Sequence, residues 1–280
     1  MLRKTLTFAA AALCVSALSS AAFGADSAWL KASTIGDKKI KESSSLAISS
    51  RFAGTAYTAN DESSPVVFAI DIASGRTVGK TKLANTKFRD PEALALDGQG
   101  TLWLADAGDN KERRRDPALY AFPEQGPANA KVAATRFPIV YSDGLKHNVE
   151  TLMVNPLNGA KFLVTKSRKA PGTLFALPST LRPGAPNLAT SLPFAAPRNV
   201  SDGAISPNGA WAVIRDAKNL YVFNIQTQTL VQTAVAPPVR KGESVAFNPS
   251  GSALLVGSEG KKSPLLWVGF DQASGRVATR

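Results

Sequence analysis

The acids and amides of this sequence fall at recurring places. Asp90, Glu92, Glu150, Asp202 and Glu243 stand at or beside the start of a short apolar segment, and Asn60, Asp61, Asp106, Asp109, Asn110, Asp216 and Glu259 follow the segment after it. Such oxygen donors, brought together, suit a hard cation such as calcium or magnesium better than zinc. Crowded carboxylates also raise one another's proton affinity unless a cation is present, which is the basis of acid–base chemistry at neutral pH. The run Asp106-Ala107-Gly108-Asp109-Asn110 sets three oxygen side chains around a glycine that permits a sharp turn. The expected metal ligands are therefore Asp106, Asp109, Glu92, Glu150 and Glu243, with calcium as the cofactor. The expected ligand-binding residues are Asp90, Glu92, Asn110, Glu150, Asp202, Arg215, Glu243 and Glu259. His147, close to Glu150, is placed to act as a general base, so these two are the candidate catalytic residues. The structural alternative for the same acids is turn capping and ion pairing with Arg89, Arg198 and Arg215.

The remaining counts exclude several chemistries. The chain has 280 residues, one histidine and one cysteine. A zinc centre with several histidines, a thiolate cluster and an intramolecular disulfide are ruled out. A serine hydrolase with a histidine base would have to use His147. There is no phosphate-binding glycine loop, dinucleotide fingerprint or nucleophile elbow. The hydrophobic fraction of 44% is enough for one sizeable core.

Residues 1–24 read as a cleavable signal peptide. Arg3 and Lys4 precede an apolar run over residues 6–18, and small residues follow up to Gly24. The lone Cys14 lies inside this segment, so residues 25–280 hold no cysteine. Export to the periplasm or beyond is expected, with stability resting on packing alone. No later stretch has the length of a membrane-spanning helix.

The elements that must position the acids are short strands. Beyond Lys31, apolar segments recur between Gly, Pro, Asn, Asp and Ser. Glu92-Ala93-Leu94-Ala95-Leu96, Thr101-Leu102-Trp103-Leu104-Ala105-Asp106 and Ala118-Leu119-Tyr120-Ala121-Phe122 form one set of three. Similar sets begin at Ser44, Glu150, Asp202 and Glu243. A unit of several strands returning about every 40–50 residues is the mark of a β-propeller. Turns such as Asp97-Gly98-Gln99-Gly100, Pro207-Asn208-Gly209 and Asn248-Pro249-Ser250-Gly251 join first strands to second ones. The expectation is one all-β propeller over residues 25–280, with five blades or a degenerate sixth. The ring is closed by residues 29–35 or 275–279. First strands line the central channel of a propeller, and second strands run back beside them. The acids should then converge on one mouth.

Several segments carry a resemblance across nearly the whole exported chain. They include Glu42-Ser43-Ser44-Ser45-Leu46-Ala47, Asp90-Pro91-Glu92-Ala93-Leu94-Ala95, His147-Asn148-Val149-Glu150-Thr151-Leu152, Ser201-Asp202-Gly203-Ala204 and Gly242-Glu243-Ser244-Val245-Ala246-Phe247. They resemble a family of uncharacterised secreted bacterial β-propellers of WD40-like architecture. A looser resemblance is to esterase-like phytases and gluconolactonase-type propellers, which place acid and amide ligands around a central ion. The resemblance implies the fold and, through the looser relatives, a calcium site. The Trp-Asp and Gly-His signatures of true WD40 repeats are missing.

Charge completes the reading. Lys and Arg number 33 against 21 Asp and Glu, a net charge of +12. Loss of the signal peptide lowers it by two. Residues 38–41, 111–116 and 166–169 are basic clusters, which point to a small anionic ligand or an envelope component as partner. Nucleic acid is not expected of an exported chain without a binding module, and the protein is expected to be monomeric. The functional expectation is a ligand- or partner-binding scaffold with a carboxylate-lined, calcium-binding channel mouth. The alternative is a metal-dependent hydrolase of phosphoester, ester or lactone substrates.

Overall fold

The computed structural model describes residues 29–62 and 64–278. The signal peptide expected over residues 1–24 lies outside the described residues. The strands sort into five antiparallel units. The first holds β2 (Ala47–Ile48), β3 (Thr55–Ala59), β4 (Val66–Asp71) and β5 (Thr77–Ala84). The second holds β6 (Pro91–Leu96), β7 (Thr101–Asp106), β8 (Ala118–Pro123) and β10 (Thr135–Tyr141). The third holds β11 (Val149–Val154), β12 (Lys161–Thr165), β13 (Gly172–Ala176) and β14 (Asn187–Ala196). The fourth holds β15 (Asp202–Ile205), β16 (Trp211–Arg215), β17 (Asn219–Asn224) and β18 (Thr229–Val235). The fifth holds β19 (Gly242–Phe247), β20 (Ala253–Ser258) and β21 (Pro264–Asp271), completed by β1 (Trp29–Thr34). The short strands β9 (Ala130–Ala133) and β22 (Arg276–Val277) are additions to the first and fifth units.

The innermost strands β2, β6, β11, β15 and β19 pack on one another in order, and β19 returns to β2. This is a closed ring of five propeller blades, and the described residues hold no sixth. Five core clusters confirm the count, one between each pair of neighbouring blades. Tyr57 and Tyr120 fill the first boundary, Trp103 the second, Phe223 and Tyr221 the third, Trp211 the fourth and Trp267 the fifth. No blade can cover both of its own faces, so each aromatic wedge serves two blades at once.

Closure comes from the N-terminal strand. Leu30 stands opposite Trp267, and β1 runs antiparallel to β21 from Pro264 to Val268. The other candidate also pairs with β21, but only where Phe270 and Asp271 meet β22. The long β21 accepts both β1 and β22 on one edge. The expected turns are present, with Gly100, Gly209 and Gly251 at φ of 82°, 68° and 72°. This left-handed backbone is one that glycine adopts without steric penalty. No helix among the described residues is long and apolar enough to cross a membrane.

Candidate functional site

The inner strands carry a repeated irregularity. In β6 the register with β7 slips between Pro91 and Ala93, leaving Glu92 as the extra residue. In β11 the same slip falls at Glu150, and in β19 at Glu243. A β-bulge disrupts the ladder locally and re-aims one side chain. Three blades thus place a glutamate by the same device at the same end of the channel. The fourth blade has no slip, since Asp202 pairs regularly with Arg215.

Lys166, the residue that follows β12, is the cation on which all three glutamates act. Its Nζ donates to Glu150 Oε2 at 3.0 Å, and its charge acts on Glu243 and Glu92 as well. Asn148 orients the same glutamate, donating from Nδ2 to Glu150 Oε1 at 2.8 Å. The Asn148 amide oxygen accepts the backbone N–H of Asp109 at 2.6 Å, so the 108–110 loop of the second blade is tied to the third. Asn110 lies at the margin of this network, 3.5 Å from Asn148 Nδ2. Glu92 is buried, at 6% exposure, and makes no hydrogen bond or ion pair of its own among the described residues. Gly108 makes room for it. A methyl group there would lie 2.6 Å from the Asp90 carboxyl and 2.7 Å from Glu92 Cγ.

Burial and crowding govern the proton affinities. Burial, then Glu150, Asp90 and Asp61, push the Glu92 carboxyl up to about 10. Burial and the neighbouring Glu42, Glu259 and Asp90 push Asp61 up to about 7. Asp90 is raised by burial and Glu150, against the pull of Arg114. Glu243 is raised by burial, with Lys166 opposing. Burial works against the charge of Lys166, but Glu150, Glu243 and Glu92 outweigh it and hold its proton more tightly. Glu259 closes the rim, paired with Lys241 at 2.7 Å.

Other expected site residues serve the frame. Asp106 accepts both terminal nitrogens of the buried Arg114, at 2.8 and 2.9 Å, and the backbone N–H groups of Arg89 and Asp90. Asp109 accepts the backbone N–H of Arg114. Both carboxylates face partners of their own rather than the glutamates. Asp202, at the start of β15, and Arg215, at the end of β16, are wholly buried. Asp202 accepts the N–H of Val245 at 2.9 Å. Burial raises it well above the usual carboxylate range and pushes Arg215 down to about 10. Arg215 donates to the carbonyls of Ser244 and Gly257, at 2.8 and 3.1 Å, and so staples the fourth blade to the fifth. Asp216 caps its turn and accepts the Tyr221 hydroxyl. His147 pairs with Asp143 at 2.9 Å and packs against Tyr141 and Phe175. None of the contacts of His147 is with an acid of the mouth.

Sequence reasoning missed Lys166 by grouping it with exposed lysines. Its position just after a second strand, the slot held by Asp61 and Glu259 in other blades, was the available signal. Beyond the acids the channel turns apolar. Ile48, Leu96, Val154, Ile205 and Phe247, the last residues of the five inner strands, line a cavity of about 350 Å³ at the opposite end.

The donor set around the mouth is oxygen only, and the unpartnered Glu92 carboxyl gives a hard cation a ligand to recruit. Asp90, Glu92, Glu150 and Glu243 carry the kind of oxygen atoms a hard cation takes. Asp106 and Asp109, already committed, do not join that set. In the arrangement seen, Lys166 fills the cation's electrostatic role, and no three acids among the described residues converge as a metal cluster.

No protein-family model matches the chain, and no curated protein matches it. Among solved structures, a gluconolactonase of Xanthomonas campestris is similar at 14% identity and a TM-score of 0.46, over 80% of this chain and 71% of that one. A candidate 6-phosphogluconolactonase of Bacteroides uniformis is similar at 17% identity and a TM-score of 0.44, over 84% and 69%. Hydrazine synthase of Kuenenia stuttgartiensis is similar at 14% identity and a TM-score of 0.42, over 76% of this chain and 60% of its own length, so this chain spans less than two thirds of it. The looser resemblance to gluconolactonase-type propellers is met again, as a likeness of chain course.

Proposed function

We propose that this chain is an exported, ligand-binding propeller that takes a small cation, calcium first, at the acidic mouth of its channel. The observation that carries the reading is the set of three bulges that aim Glu92, Glu150 and Glu243 at one mouth, with Glu92 buried and unpaired. Buried like charges oppose folding unless a cation neutralises them. Lys166 supplies one positive charge to that group. Its side chain is long and 25% exposed, so it can swing outward when a second cation enters. Asp90, Glu92, Glu150 and Glu243 would hold the ion, which would neutralise the crowd and join three blades.

The test is a calcium titration of the mature protein after chelation, with metal analysis of the protein as purified. A ligand at a hundred times its Kd stabilises the fold by about 2.7 kcal/mol, which is roughly 5–10 °C in Tm for a domain of this size. Bound metal, or that rise on adding calcium, is expected for the wild type, and its loss in the double variant Glu92→Gln/Glu243→Gln. No metal, no heat of binding and no change in Tm would refute the reading.

A second reading, the hydrolase, has one observation in its favour. Glu92 keeps its proton up to about pH 10 and lies near the Lys166-paired Glu150. A carboxyl that keeps its proton at neutral pH is a group able to act as a general acid. Turnover of lactone, ester or phosphoester substrates, abolished in Glu92→Gln with the fold intact, would support this reading. Absence of turnover on all three classes would remove it.

A further inference from the structure

A second charged cavity, of about 700 Å³, lies on the flank between the first and second blades. It is formed by an excursion of the chain. Between β8 and β10 the backbone crosses to the first blade and adds β9 beside β5, parallel to it. Lys82, Lys87, Arg89, Arg114, Lys131 and Arg136 line the cavity, against the two carboxylates of Asp106 and Asp116.

Those carboxylates are already used. Arg114 holds Asp106 at 2.8 Å and Asp116 at 3.2 Å, and Arg89 holds Asp116 at 2.8 Å. Arg136 donates to the Asp116 backbone oxygen at 3.1 Å and to the Tyr120 hydroxyl. Lys82, Lys87 and Lys131 have no ion-pair partner among the described residues. Lys82 and Lys131 also stand directly opposite each other in the β5–β9 ladder. Like charges in that relation destabilise a sheet, and an anion between them reverses the sign of the interaction.

We infer that this flank cavity is a binding site for a multiply charged oxyanion of the phosphate type. Lysines provide the point charges such a group needs. The site is distinct from the acidic mouth, since none of Asp90, Glu92, Glu150 and Glu243 lines it. The phosphate can belong to a soluble phosphoester or to a lipid headgroup.

Calorimetric titration with pyrophosphate at low ionic strength tests the site. The wild type is expected to bind, more weakly as salt rises, and Lys82→Gln/Lys131→Gln to bind at least ~10-fold more weakly. Lys82→Glu replaces the like-charge pair with an opposite one. It should keep the fold and still lose binding, which separates loss of the site from loss of structure. Glu92→Gln should bind pyrophosphate as the wild type does, whatever the fate of the mouth. Co-sedimentation with vesicles containing phosphatidic acid, whose phosphomonoester is multiply charged, and not with phosphatidylcholine vesicles, would assign a lipid headgroup. Pyrophosphate binding without co-sedimentation would assign a soluble phosphoester. Failure to bind either probe, or undiminished binding by the double lysine variant, overturns the inference.

Discussion

Glu92→Gln should stabilise the protein and impair its mouth at the same time. Burial and three neighbouring acids raise the Glu92 carboxyl from 4.5 to about 10. The folded chain therefore keeps this proton through neutral pH, whereas the unfolded chain releases it near the ordinary value. Between the two values the unfolded state binds fewer protons, so rising pH favours unfolding. At pH 7 the resulting loss of stability, relative to acid, is ~3 kcal/mol. Gln has the shape of the protonated acid and no charge to lose, so the variant escapes this loss. The expected gain in Tm is about 6–10 °C near pH 7, shrinking toward about pH 5 and growing toward about pH 8. Thermal and urea melts of both proteins, stripped of metal, measure it. Calcium should then raise the Tm of the wild type more than that of the variant. A variant that melts at or below the wild type near pH 7, or a difference that does not grow with pH, would refute the argument.

Three further outcomes follow from the same geometry. Gly108→Ala drives a methyl group into Asp90 and Glu92. It should destabilise by ~1–3 kcal/mol and weaken cation binding, as read by melting and calorimetry. Arg114→Met leaves Asp106 buried without its partner, at 2% side-chain exposure. A loss of ~3–5 kcal/mol is expected, and most of it should return in the double variant Asp106→Asn/Arg114→Met when the two are compared by urea denaturation. Removing Trp29–Thr34 strips the edge of β21 and opens the ring. The shortened protein should lose its single cooperative melt, whereas removing residues 1–24 should not change it.

Much of the frame was legible in the chain. The repeated sets of apolar segments, the glycine turns and the acids before first strands all follow from spacing, because strands and turns are local. The site was legible only in outline. Glu92, Glu150 and Glu243 were found because they share a repeat position. Asp106 looked equivalent to them, yet Arg114, eight residues on, folds back to hold it. Lys166 looked like a surface lysine, yet it stands among the glutamates. His147 looked close to Glu150, but its ring turns to Asp143 and Tyr141.

By itself the sequence determined that the chain is a ring of short-strand units with acids near the start of the inner strands. Periodicity and turn chemistry act over a few residues and need no knowledge of the whole. Only the tertiary structure decided which acids face one another, because ion pairing depends on distances across blades. It also showed that a bulge, a one-residue slip against the neighbouring strand, aims each glutamate, and that β9 leaves its own blade to put Lys131 beside Lys82. Electrostatic partners are chosen in three dimensions, so a residue's type and spacing state what it can do, and its neighbours decide what it does.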